Sequence, residues 1–353
     1  MLDNTDREEL MSGGHTPRLS ICIPTYNRAD FIGDCLDSIL SQWKDGLEIV
    51  IVDGASTDGT PEVVAEYQHR YPFIRYYRRP SNVGIDEDVL KVVGLATGDY
   101  CWLMSDDDRI EPGSLDHLLS FLGANPNLAG ASLNYISYDK TLSYQIYTAP
   151  AGAGGKLHEN MVFNNRDTCF TKLGLHLGYL SAQVIDRNLW SDMVCRHDFS
   201  TYKTSAWLLV YVIGLMIAER PLWGYVHYRC VANRSANDSF ITRVGGYRRQ
   251  VIAHVTFDHV ISGLFGRGPT RREIFRTFIA NRMPKNLASY KANGASIGLQ
   301  LRLMLLYVRR YWSCPVFWWK VFPVFFVPNH VLSGVRFLYL LAARKLKSEK
   351  TLV

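Results

Sequence analysis

No two cysteines in this 353-residue chain are spaced C-x-x-C. The seven cysteines stand apart at 22, 35, 101, 169, 195, 230 and 314, an odd number. That scatter argues against a zinc site or a disulfide framework, and for reduced thiols facing the cytoplasm. G-x-G-x-x-G and G-x-x-x-x-G-K-[ST] are also missing, so neither a dinucleotide fold nor a P-loop is signalled. No uninterrupted apolar run reaches transmembrane length; "SAWLLVYVIGLMIA" (205–218) has 14 residues without a charge and reads as a buried helix. The N-terminus, "MLDNTDREELMSGGHTP", is polar and acidic rather than apolar like a signal peptide, and reads as a flexible lead over 1–17. Acid is nearly missing from the other end. From Leu301 to Val353, nine cations (Arg302, Arg309, Arg310, Lys320, Arg336, Arg344, Lys345, Lys347, Lys350) face Glu349 alone, so this tail carries +8 of a formal +6 and the remainder is −2. Such asymmetry asks for an anionic partner, membrane surface or nucleic acid.

What is present suits a globular protein: 47% of residues are hydrophobic and 20% charged. The first third alternates strand and helix signals. Strands are expected at 18–24, 47–53, 73–79 and 99–105. Helices are expected at 28–43, where Phe31, Ile32, Cys35, Leu36, Ile39 and Leu40 share a face, after a Thr60 cap followed by Pro61, and from about Gly84 to Ala96 behind a Ser81 or Asn82 cap. This βαβαβαβ order predicts a mostly parallel sheet with helices on both faces, and such sheets bind ligands beyond the carboxyl ends of their strands. Further strands are expected at 128–139 and 177–186, and "APAGAGGK" (149–156) reads as a loop too irregular to cradle phosphate. The last third reads as helical: 245–265 and 271–283 are amphipathic, while 301–312, 315–328 and 331–347 are apolar and aromatic, punctuated by cations and prolines. Tryptophan beside Lys/Arg is what an interfacial segment needs; the alternative is a helical cap whose apolar stripe is core.

Three motifs recur at strand ends: "PTYNR" (24–28), "VDGASTDGT" (52–60) and "SDDDRIEP" (105–112). In this order and spacing they resemble the family 2 glycosyltransferases of GT-A (Rossmann-like) fold, over roughly Arg18 to Leu122. "NVGIDEDVLKVVGLATGDYCWLMSDDD" is also similar to the abequosyltransferase-like branch, which adds deoxysugars to bacterial surface glycans. The resemblance implies a GT-A catalytic domain at 18–235, with a nucleotide-sugar half (18–122) and an acceptor half (123–235); the aromatic, basic pattern of the last third reads as a helical, membrane-associating region at 236–353. It implies an inverting transfer from a nucleotide-diphosphate sugar to a lipid-linked glycan, for O-antigen or related polysaccharide, at the cytoplasmic face of the inner membrane.

By the same resemblance, Thr25 and Tyr26 line the nucleoside pocket, Pro24, Asn27 and Asn82 belong with them to the donor-binding set, Asp53 accepts from the base or ribose, and Asp106 lies nearer the ribose. Where the family more often has a second acid, this chain has Gly54. Asp107 and Asp108 would hold Mn²⁺ or Mg²⁺ on the diphosphate, because a divalent ion bridges carboxylate and phosphate oxygens and neutralises the leaving group. Family members place the metal-binding aspartate four or five residues before the proline, so Asp108 or Asp107 fits Pro112. Inversion needs a general base. The family's Glu-Asp pair is missing from 195–214, which leaves Asp198, with His197 as rival; His176 reads as a core histidine. Two other readings are a nucleotidyltransferase, whose glycine-rich basic loop "PTYNRAD" lacks, and a membrane- or glycan-binding protein that kept the fold without turnover. Nucleic-acid binding by the tail is disfavoured by its apolar character.

Overall fold

The computed structural model describes residues 18–147, 157–235, 237 and 239–335. The expected lead (1–17), the Gly/Ala-rich loop at 149–156 and the tail from 336 onward lie outside the described residues. The chain forms two compact units, one ending at Asn237 and one following it.

The first unit is built on one sheet. Its opening half follows the apolar runs: β1 (Leu19–Thr25), α1 (Ala29–Leu40), β2 (Leu47–Asp53), α2 (Thr60–Arg70), β3 (Arg75–Arg78), α3 (Ile85–Leu95) and β4 (Tyr100–Leu103). Every residue of β1 is buried, as a strand covered on both faces must be. On α1, Ile32, Cys35, Leu36 and Ile39 face the core, with Phe31 and Leu40 at its margin. Helix α2 begins at Thr60 itself, and its first N–H is taken by Asp58 Oδ1 (3.0 Å), so Asp58 does the capping expected of Thr60.

The rest of the first unit departs from expectation. It contains β5 (Arg109–Ile110), α4 (Ser114–Ala124), β6 (Gly130–Tyr138), β7 (Gln145–Tyr147), β8 (Met161–Phe163), α5 (Arg166–Leu173), β9 (Gln183–Asp186), α6 (Arg187–Arg196), α7 (Leu208–Glu219) and β10 (Trp223–Arg234). The sheet order is β3-β2-β1-β4-β9-β6-β10-β5. Strands β3, β2, β1 and β4 are mutually parallel, but β9 runs antiparallel to both β4 and β6, and β5 antiparallel to β10. The sheet is therefore mixed, not mostly parallel: a βαβ reading extrapolated from the first third cannot see a strand inserted in reverse. The strand expected at 177–186 shrinks to β9, because 174–178 and 180–182 form tight 3₁₀ turns. The uncharged run at 205–218 is α7, buried along most of its length.

The second unit is helical: α8 (Ser239–Gln250), α9 (Phe257–Phe265), α10 (Pro269–Ile274), α11 (Ala280–Ala292), α12 (Ile297–Tyr311) and α13 (Pro315–Lys320). Two expected helices are interrupted. A π-helical turn at 251–256 separates α8 from α9, and another at 275–279 separates α10 from α11. The 315–328 stretch is α13 plus a 3₁₀ turn at 322–326, shortened by Pro323. No helix among the described residues is long and apolar enough to cross a membrane. Yet Ile297, Leu301, Leu305 and Trp312 on and just after α12 are at least half exposed, as are Trp319 and Phe326. Arg310 is not a surface cation: with Arg271 it pairs the fully buried Asp258.

Candidate active site

Strand order places β1 between β2 and β4, with Thr25 registered opposite Asp53. The β2 and β4 ends are thus about 10 Å apart, two strand spacings, across the end of β1. Two of the motifs are laced together there. Gly54 N donates to Thr25 O (2.8 Å), Asn27 N to Ser56 Oγ (2.8 Å), and Thr57 N to Asn27 Oδ1 (2.8 Å). Asn27 takes a left-handed backbone (φ 56°), which Asn tolerates better than most residues, and its side chain is spent on this lacing. Pro24 is buried within β1 opposite Val52. Asn82 is exposed, with Oδ1 accepting from Gly84 N at 3.0 Å, and the cap of α3 is Gly84 without a side-chain bond.

Asp53 is fully buried. Its Oδ1 accepts from Ser56 N (2.7 Å) and its Oδ2 from the Tyr76 hydroxyl (2.6 Å), with Arg78 Nε 4.0 Å away. Burial and this carboxylate push the Tyr76 hydroxyl well above its ordinary range.

The three consecutive aspartates have different environments. Asp106 is buried and meets Arg28 Nε at 3.3 Å. Burial and the Asp107 charge push its carboxyl upward, opposed by Arg28, the Thr25 hydroxyl and the Tyr26 N–H. Asp107 is half-buried, accepting from Ser105 Oγ (2.6 Å) and Asn237 Nδ2 (2.7 Å). Asp108 is the most enclosed. Four donors surround it: the Tyr179 hydroxyl and Ser181 Oγ at 2.6 Å each, Arg234 N at 2.8 Å and Asn233 Nδ2 at 3.4 Å. Burial, then Asp107, pushes this carboxyl upward too. Like charges so close oppose joint ionisation, which a cation between them would relieve. Among the described residues no group of three His, Cys, Asp or Glu side chains is arranged as a metal cage. The donors at the triplet are all carboxylate oxygens, the set Mg²⁺ and Mn²⁺ take, and one or two suffice when phosphate and water complete the shell. Asp107 presents the most accessible of the three.

Several residues here escaped the sequence reading. Arg234, buried at the end of β10, donates through Nε to Asp107 O, Nη1 to Lys140 O and Nη2 to Asp34, each at 2.7 Å, and stacks over Phe31 at 5.0 Å. It fixes the backbone of the aspartate turn from 127 residues away. Burial opposes the Asp34 charge, but hydrogen bonds from Arg109 and Arg234 outweigh it and hold that carboxyl below its ordinary value. Asp88 explains Gly54: a Cβ there would sit 2.7 Å from Asp88 Oδ2, so the carboxylate of α3, paired with Arg79, occupies the space a second β2 acid would need. Asp86 is buried and accepts from Ala206 N (2.9 Å) just before α7; burial raises its carboxyl to about 7.

Further along the chain, Asp198 is exposed and accepts from Ser200 N and Oγ, both at 2.8 Å, which holds its carboxyl below the ordinary value. His197 ends α6 as its exposed C-cap. His176 is buried with Nε2 2.9 Å from Leu133 O, as a core histidine should be.

The glycosyl transferase family 2 profile matches residues 20–192. An abequosyltransferase of Salmonella typhimurium is 29% identical over 279 residues, covering 75% of this chain and 81% of that protein. An uncharacterized glycosyltransferase of Mycoplasma genitalium is 32% identical over 205 residues, 57% of this chain and 68% of that one. Among solved structures, a mannosyltransferase of Pyrobaculum calidifontis, held with GDP-Man and Mn²⁺, superposes with a TM-score of 0.52 at 16% identity, covering 92% of this chain and 88% of that one; at that identity it speaks to the fold alone.

Proposed function

Because the chain belongs to glycosyl transferase family 2, we propose that its strand-end crevice transfers a sugar, in the finer reading a deoxysugar, with inversion from a nucleotide-diphosphate donor to a lipid-linked glycan of a bacterial surface polysaccharide. The observation that carries this is the pairing of a buried Asp53 at one strand end with Asp106, Asp107 and Asp108 at another, flanking Thr25. Likeness to the Salmonella abequosyltransferase supports the deoxysugar and the surface-glycan acceptor.

In this reading the base and ribose lie over Thr25 and Tyr26, and Asp53 is aimed by Ser56 N–H and Tyr76. Asp106 receives the ribose side, steadied by Arg28. Asp107, with Asp108 behind it, would hold Mn²⁺ or Mg²⁺, which when bound neutralises charge on the departing diphosphate. Arg234 keeps the turn in place without touching substrate. Asp198 is the base of this reading; its hydrogen bonds to Ser200 orient it, and it accepts the proton as the acceptor hydroxyl attacks. The exposed tryptophans of the helical unit, with Arg302, Arg309 and Lys320 also exposed, support peripheral binding at the cytoplasmic face of the membrane, where a lipid-linked acceptor resides.

A panel of CDP-, UDP-, GDP- and dTDP-sugars, read by thermal shift with and without Mn²⁺, tests the proposal. One donor class should raise Tm with concentration, and more so with the metal, as mass action requires. No stabilisation by any donor would contradict it.

A further inference from the structure

Away from the strand ends, the helical unit contains a groove of about 700 Å³ lined by α8, α11 and the turn before α12, a size typical of small-ligand sites. Two of its walls hold polar atoms that find no partner among the described residues. Gln250 is 7% exposed; its Nε2 donates to Asn286 O at 3.3 Å, but its Oε1 has no partner. Tyr290 is 8% exposed and its hydroxyl also has none. Native interiors rarely leave such groups unpaired, and exceptions mark sites where something else supplies the bond. The ring of Tyr290 is held in place from below. At Gly246 a Cβ would approach Tyr290 Cδ2 to 2.8 Å, so glycine is what lets the ring lie flat on α8.

The chemistry of the walls narrows the ligand. Gln250 Oε1 accepts and cannot donate, so its partner must bring a hydrogen; a carboxylate or an ionised phosphomonoester brings none, and inorganic phosphate brings its one or two hydroxyls with a charge the groove does not balance beyond Arg249. A tyrosine hydroxyl does either. Tyr247, Ser289 and Asn293 add further hydroxyl and amide groups; among the described residues of the lining Arg249 is the one charge and no carboxylate is present. Alternating donors and acceptors beside aromatic faces match a ligand dense in hydroxyl groups with apolar C–H faces. We propose that this groove binds a neutral saccharide unit of the acceptor glycan. The identity of that ligand rests on the transferase reading above; the binding itself does not.

The test uses the full chain, with methyl α-D-mannopyranoside, methyl β-D-galactopyranoside and maltotriose as probes and inorganic phosphate as competitor. Saturation-transfer NMR should show binding of at least one sugar that phosphate does not displace. Tyr290→Phe and Gln250→Met should each weaken that affinity about five- to tenfold, the loss of one hydrogen bond. Tyr290→Phe should leave Tm unchanged or raised, because it deletes an unpaired buried atom, whereas Gln250→Met also removes the bond to Asn286 O and is read by affinity alone; a purely structural role predicts a lower Tm for Tyr290→Phe and unchanged affinity in both. Failure of every sugar to bind, displacement by phosphate, or wild-type affinity in both variants overturns the proposal. Hydrolysis of the nucleotide-sugar donor, measured on the same samples, should be the same in both variants. Sugar binding without donor turnover would sink the transferase reading alone, and donor turnover without sugar binding would sink this one alone.

Discussion

Asp53 shows how much a single carboxylate at the crevice depends on one hydroxyl. It has no exposed surface, and its Oδ2 is satisfied by Tyr76. Tyr76→Phe takes away that oxygen's hydrogen bond and leaves it only Arg78 Nε at 4.0 Å, which should cost about 1–3 kcal/mol; calorimetric melting should show the lower Tm, and donor affinity should fall with it. Asp86 makes a pH prediction. Its folded value of about 7 lies above the ordinary 3.8. Between those values the unfolded chain releases a proton that the folded chain keeps. Stability from this group is therefore fully present below pH 4 and declines as pH rises toward 7, by an upper limit of about 4 kcal/mol. In Asp86→Asn that slope should disappear, so the variant gains on the wild type in Tm as pH rises from 4 to 7; parallel pH profiles would refute this. The strand-end positions of Asp53 and the aspartate triplet were legible in the sequence because each follows an apolar run. Asp86, Asp88 and Arg234 were not, because each acts on a residue far along the chain: Asp86 on Ala206, Asp88 on the space above Gly54, Arg234 on the turn at Asp107.

Elements with a strong local signal matched expectation, and those decided by pairing did not. Strands β1, β2 and β4 are buried apolar runs whose length and punctuation announce them. The direction of β9 is set by its neighbours β4 and β6, and nothing in Gln183–Asp186 encodes it. Its insertion lets 3₁₀ turns deliver Tyr179 and Ser181 to Asp108, so the misread element is also the one that encloses the triplet. Gly130, at the start of β6, tests this part of the sheet. A Cβ there would meet the Trp223 ring at 2.6 and 2.7 Å and also collide with the Val184 carbonyl. Gly130→Val should thus cost about 3 kcal/mol or more through overpacking between β6, β9 and β10. Denaturant melts should show a reduced midpoint, and an unchanged midpoint would mean the strands can part without loss.

At the scale of the whole molecule, the sequence announced an excess of cations and tryptophans near its end without saying which of them face outward. Arg310 is tied to Asp258, while Trp319 is 84% and Leu305 64% exposed. Replacing Leu305 and Trp319 together with glutamate should lower cosedimentation with anionic phosphatidylglycerol vesicles by about tenfold, removing apolar contact and adding repulsion. Donor hydrolysis in solution should be unaffected, and equal sedimentation of both proteins would remove the membrane role. The central claim, that strand-end carboxylates grip a metal-bound nucleotide sugar, is tested most directly by sugar release from the donor in Mn²⁺ and in chelator. The account predicts turnover by the wild type in Mn²⁺ that falls about 100-fold or more both in Asp107→Ala and on chelation; equal turnover in all three conditions would contradict it.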